Sequence, residues 1–96
     1  MIIVAGCSYT ESHARDAAVA AFAAMVGRAR KHDGCLDLAI SADPVDPERI
    51  NLLECWRDEP AWKAWRKVAR GPKVALRETR VKLYRGEAIE TFGRGR

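Results

Sequence analysis

The side chains best suited to chemistry in this 96-residue chain fall in one short segment. Leu53-Glu54-Cys55-Trp56 runs into Arg57-Asp58-Glu59-Pro60-Ala61-Trp62-Lys63-Ala64-Trp65-Arg66, so the three tryptophans lie within ten positions. Indole is large, polarizable and carries one N–H donor. A cluster of this kind either fills a core or lines a pocket for a flat aromatic ligand. Glu54 and Trp56 stand two apart on an extended segment and share a face. Burial there would raise the Glu54 pKa and fit the carboxyl for proton transfer, and a structural salt bridge to an arginine such as Arg80 is the competing and commoner role. Trp62 and Trp65 are three apart on a helical segment and also share a face, which joins the core or walls a cavity.

The remaining reactive residue types give weaker signals. His13 and His32 sit at opposite ends of one helical segment, where a histidine is usually solvated or complements the helix end. Cys7, Cys35 and Cys55 are odd in number, widely spaced and set among apolar neighbours, which suits reduced, buried thiols. No C-x-x-C spacing or nearby histidine pair offers a metal site. The net charge of +4 is uneven: residues 63 to 85 hold nine Lys or Arg against Glu78, and residues 1 to 62 hold six against ten acids. Such a basic stretch draws in an anion or forms a solvated face.

These residues need elements to place them. Ile2 to Tyr9 is apolar on both alternating sets and predicts a strand covered on both sides. Its N-terminal run lacks a basic leader and is broken after a few residues. It therefore reads as a strand, not as a signal peptide or membrane span, which points to a cytoplasmic protein. Thr10-Glu11-Ser12 offers cap residues for a helix from about His13 to Lys31, stopped by Asp33-Gly34. Cys35 to Ala42 alternates imperfectly and predicts a strand, Asp43-Pro44-Val45-Asp46-Pro47-Glu48 a loop, and Arg49 to Arg57 a second strand of a hairpin. Asp58 caps a second helix through Glu59 and Pro60, which Gly71-Pro72 ends. Val74-Ala75-Leu76 suggests one further turn. Glu78 to Phe92 predicts a long last strand with a bulge at Gly86, and 93–96 a flexible tail.

The sum is strand, helix, strand, strand, helix, strand: an α+β, ferredoxin-like βαββαβ domain over residues 1–92 with a four-stranded antiparallel sheet. Two helices cover one sheet face only, so the other face calls for a second copy packed sheet on sheet.

With Gly34-Cys35-Leu36 opening the second strand, the Asp43-Pro44-Val45-Asp46-Pro47 loop, and Glu54-x-Trp56 before an acidic helix start, the chain resembles the antibiotic biosynthesis monooxygenase family of dimeric α/β-barrel proteins. The resemblance implies oxidation of an electron-rich phenol, quinol or anthrone by O2 without a metal or flavin cofactor. It implies a homodimer in which Trp56, Trp62 and Trp65 wall the substrate pocket and Tyr9 offers a hydroxyl. Arg66 or Arg85 would stabilise a phenolate or peroxide by charge, and Trp65, Glu54 and Arg66 form the candidate catalytic set. Many relatives hold a histidine at the position of Trp65. The haem-degrading branch shares that tryptophan but adds a first-strand Asn and a haem-ligating His where this chain has about Cys7 and Ala75, which disfavours haem degradation. Two other readings stay open. One is a dimer that binds an aromatic ligand without turnover. The other is an RNA-recognition module, whose stacking aromatics are missing from Arg49 to Trp56.

Overall fold

The computed structural model describes residues 1–95. The expected tail includes Arg96, which lies outside the described residues. Four strands, β1 (Ile2–Tyr9), β2 (Cys35–Ala42), β3 (Arg49–Trp56) and β4 (Glu78–Arg85), form one sheet in the order β2-β3-β1-β4, with every neighbouring pair antiparallel. Helices α1 (Ser12–Ala21), α2 (Ala23–Arg30) and α3 (Glu59–Val68) complete the ferredoxin-like fold. None of the helices is long and apolar enough to cross a membrane.

Register sorts the side chains by face, because residues paired across antiparallel strands point the same way. Ile2, Val4, Ile50, Trp56 and Leu38 point toward the helices and form the core with Ala29, Ala61 and Trp65. Ile3, Ala5, Leu53, Cys55 and Tyr84 occupy the outer face, where Leu53 is 39% and Tyr84 48% exposed. The double-sided apolarity of β1 thus has a structural counterpart: one set of residues lies under the helices and the other faces outward, where no helix of the chain covers it.

Five local expectations are corrected. The first helix does not run unbroken to Lys31. A tight turn at Phe22 (φ −80°, ψ −10°), with its N–H donating to the Val19 carbonyl three residues back at 3.1 Å, splits it into α1 and α2. Thr10 caps no helix; its hydroxyl donates to the Ala75 carbonyl at 2.7 Å. That bond helps hold Val74-Ala75-Leu76 outside any helix. The last strand ends at Arg85, because its partner β1 begins at Ile2, opposite Arg85. The two chain segments close that end of the ladder together, Met1 donating its amine to the Gly86 carbonyl at 2.8 Å and Gly86 donating its N–H to the Met1 carbonyl at 3.0 Å. Gly86 therefore follows the strand and makes no bulge. The irregularity that does exist lies in β2, between Cys35 and Asp37, and leaves Leu36 59% exposed. This extra residue explains the imperfect alternation there.

Helix α3 starts as expected: the Asp58 carboxylate accepts the Ala61 N–H at 2.9 Å, with Pro60 in the first turn. Gly34 (φ +82°) turns the chain from α2 into β2 and lies against α3, where a Cβ would stand 2.4 Å from that of Ala61. Gly27, inside α2, is different, for a Cβ there meets nothing within 4 Å. Gly27→Ala should therefore stabilise the protein by about 0.5–1 kcal/mol through a lower helix cost, read as a raised Tm.

The loop between β2 and β3 is held by polar contacts. Asp43 accepts from the Val45 and Asp46 N–H groups at 3.0 and 2.8 Å and from the Asn51 amide at 2.9 Å. Arg15 of α1 reaches over and donates to the carbonyls of Asp43, Asp46 and Arg49. The Asp46 N–H bond, then those from Asn51 and Val45, hold the Asp43 carboxyl down at about 2, from an ordinary 3.8. A depressed folded-state pKa means that the carboxylate stabilises the fold fully above about pH 4 and loses that contribution as pH falls through about 2. Thermal melts from pH 7 to 2 should show a wild-type advantage over Asp43→Asn that shrinks across that acid range; a constant difference would reject the assignment.

Candidate active site

A cavity of about 430 Å³ opens between the helix face of the sheet and α3. Its lining joins Val4 of β1, Leu52 and Glu54 of β3, Thr79, Val81 and Leu83 of β4, Met25 of α2, and Trp62, Trp65 and Arg66 of α3. A second hollow of about 200 Å³ shares Met25, Leu52, Glu54 and Thr79 with it and continues toward Phe22, Ile40 and Ile50. No helix covers β4, so Val81 and Leu83 remain 41% and 48% exposed although they face the helix side. The main volume falls within the range of about 300–1,000 Å³ usual for small-molecule sites.

Glu54 is the carboxylate between the two hollows. Its Oε1 accepts the Trp56 indole N–H at 3.0 Å. Its Oε2 has no hydrogen-bond partner among the described residues. Burial pushes the Glu54 pKa above the ordinary carboxyl value, opposed by the Trp56 hydrogen bond and the positive charge of Arg66. The alternative salt bridge to Arg80 does not form: Arg80 pairs with Glu78 at 2.7 Å on the same strand.

The tryptophans divide between two tasks. Trp56 is fully buried and stacks on Trp65 at 5.9 Å between ring centroids with 24° between planes. Trp65 is also buried, yet it reaches the cavity lining. Trp62 is half-buried on the same wall, with the Arg66 guanidinium 5.0 Å over its ring. Among the sequence-derived candidates, Glu54, Trp62, Trp65 and Arg66 therefore meet at one cavity. Trp56 stands behind it and touches the site through Glu54. Arg85 is bound to Glu59 at the start of α3 and does not line the cavity.

Tyr9 lies elsewhere. Cross-strand pairing with Arg49 and Glu78 puts it on the outer face, in a hollow of about 450 Å³ with Arg77, Glu78 and Arg80. That hollow is slightly larger, but it is polar and its arginines are already neutralised, Arg77 by Glu48 at 2.9 Å and Arg80 by Glu78. The apolar cavity around Glu54 is the better place for an aromatic molecule.

Several participants carry no local sequence signal. His32 sits edge-on to both Trp56 and Trp65, at 6.1 and 5.5 Å between centroids. Arg28 lies 5.7 Å from the Trp65 ring centre and donates to the carbonyls of Val68, Ala69 and Arg70 at 3.3, 2.8 and 3.2 Å, closing the C-terminal end of α3. The alternation Thr79, Val81, Leu83 was the one available signal for the β4 wall. The three cysteines are free thiols; burial raises the pKa of Cys35 and Cys55, which keeps both protonated at neutral pH. No group of three His, Cys, Asp or Glu that could hold a metal ion occurs among the described residues.

A family model described as antibiotic biosynthesis monooxygenase matches residues 1–69. Among solved structures, a Deinococcus radiodurans protein named as a candidate antibiotic biosynthesis monooxygenase superposes with a TM-score of 0.73 at 20% identity, over 97% of this chain and 100% of that one. A Nitrosomonas europaea protein named in the same way gives 0.72 at 18% identity, over 90% and 98%. A Shewanella oneidensis protein gives 0.74 at 20% identity, over 86% and 87%. At these identities the likeness speaks to the fold. A search of the curated proteins finds no significant match.

Proposed function

Because the chain belongs to the antibiotic biosynthesis monooxygenase family, we propose that it is a cofactor-independent monooxygenase acting on an electron-rich aromatic of anthrone, quinol or phenol type. The observation that carries this reading is Glu54: a carboxylate with raised proton affinity, one oxygen anchored by an indole and the other free, at the wall of an apolar cavity. A base with these properties suits removal of a proton from a weakly acidic phenol or ring methylene.

In an anthrone the reacting carbon is a methylene with two protons to lose. Glu54 takes one methylene proton, and the resulting anion passes one electron to O2. The radical and superoxide recombine into a carbon-bound peroxide anion, to which Glu54 returns the proton. Loss of the second methylene proton breaks the O–O bond and leaves a ring carbonyl and water. One oxygen atom enters the product and the other leaves reduced. Trp62 and Trp65 hold the ring flat, and the charge of Arg66 favours the anionic stages.

The working unit in this proposal is a homodimer of a single domain spanning 1–92, joined through the outer sheet face that carries Ile3, Ala5, Leu53 and Cys55. On β3 that face carries Asn51, Leu53 and Cys55 and no aromatic side chain, which argues against an RNA-recognition role. The deciding measurement is oxygen uptake with a panel of anthrones and quinols, in the presence of a chelator. Uptake matched by product with one oxygen atom incorporated supports the proposal. Tight binding across the panel without uptake would replace it with a non-catalytic, ligand-binding role.

A further inference from the structure

Arg66 and Lys82 are the two cations in the lining of the Glu54 cavity. Around the domain, Arg49, Arg57, Lys63, Arg77, Arg80 and Arg85 each contact a carboxylate. Arg66 and Lys82 form no ion pair among the described residues, and both border the cavity that holds Glu54. Lys82 pairs with Ala5, so its side chain stands on the outer face of the uncovered edge strand, where it lines another hollow. Arg66 is the better placed of the two. Its guanidinium rests over Trp62, itself part of the cavity wall, and its N–H groups donate to nothing among the described residues. Stacking on an indole fixes the plane of a guanidinium while leaving its edge free, and that edge presents parallel donors matched to the two oxygens of a carboxylate.

We infer that the substrate of this site is an aromatic acid: a ring system whose reacting position sits near Glu54 and whose carboxylate substituent is held at the cavity mouth by Arg66. The inference rests on the aromatic-substrate reading above and names the chemical class within it. Apart from Glu54 and these two cations, the lining is apolar or uncharged, so an anion entering the mouth meets no carboxylate other than Glu54 deeper in the wall. A cation paired with a permanent substituent also orients the ring before any proton moves.

The test uses two redox-stable probes of the same shape, 6-hydroxy-2-naphthoate and its uncharged carboxamide, with binding followed by tryptophan quenching and calorimetry. The carboxylate should bind about tenfold or more tightly than the amide, and high salt should narrow the gap. Arg66→Gln should bring the two affinities together by weakening the carboxylate far more than the amide. Arg66→Lys should restore part of the difference, and Lys82→Gln should reduce it less than Arg66→Gln does. Equal binding of both probes to the wild type, or a preference that survives Arg66→Gln, would overturn the aromatic-acid inference and leave the aromatic pocket standing. Failure of both probes to bind would overturn the pocket as well.

Discussion

Glu54→Gln is expected to lower turnover by about 10²–10⁴-fold, the usual contribution of a positioned general base, while aromatic ligands still bind. The amide keeps the size of the carboxyl and can still accept the Trp56 N–H that anchors Oε1 at 3.0 Å, so the wall of the cavity survives. What it loses is the ability to take a proton. The pH profile supplies an independent check. Burial places the Glu54 pKa above the ordinary carboxyl value, and the reaction needs the ionised form, so wild-type activity should rise with pH through a value higher than that of a solvated glutamate. Trp56→Phe removes the hydrogen bond that opposes this shift, and the rising limb should move further up. A Glu54→Gln enzyme with near-normal kcat would remove Glu54 from the chemistry.

The largest expected loss of stability comes from Gly6→Ala. A Cβ at Gly6 would lie 2.0 Å from the Arg80 carbonyl oxygen and 2.7 Å from the Val81 Cα, both backbone atoms of β4, and the φ of +159° is one that side chains resist. No rotamer change relieves an overlap with backbone, so β4 must move away from β1. Overpacking and backbone strain of about 1–3 kcal/mol each give a total of about 2–6 kcal/mol, against about 5–15 for a whole domain. At about 4–8 °C per kcal/mol for a chain of this size, the Tm should fall by roughly 10 °C or more. Because β4 supplies Thr79, Val81 and Leu83 to the cavity, ligand binding should weaken together with stability. The contrasting gain expected for Gly27→Ala makes the pair a control for glycine substitution as such. A Tm within a degree or two of wild type would show that β1 and β4 do not need this close approach.

Local chemistry announced most of the architecture. Pro44 and Pro47 forced the loop between β2 and β3, and Asp58-Glu59-Pro60 started α3. The failures were those of features with no local signature. Ala20-Ala21-Phe22-Ala23-Ala24 is a good helix sequence, and nothing in it marks the tight turn at Phe22. The alternation after Arg85 resembles more strand, but a strand needs a partner, and β1 begins at Ile2. Thr10 looks like a cap residue until the returning chain offers it the Ala75 carbonyl.

The candidate site divides along the same line. Residue type and short-range periodicity determined that Glu54 and Trp56 share a strand face and that Trp62 and Trp65 share a helix face, since both follow from the repeat of a single element. Only the tertiary structure decided that Glu54 takes the Trp56 N–H and not Arg80, that Tyr9 faces away from the cavity, that Arg85 serves Glu59, and that Arg66 is left free beside Trp62. Each of those outcomes depends on cross-strand register and on how a helix is set against a sheet. These are contacts between residues far apart in the chain, made by long side chains that can reach several partners, and no spacing within one segment encodes which partner will be there.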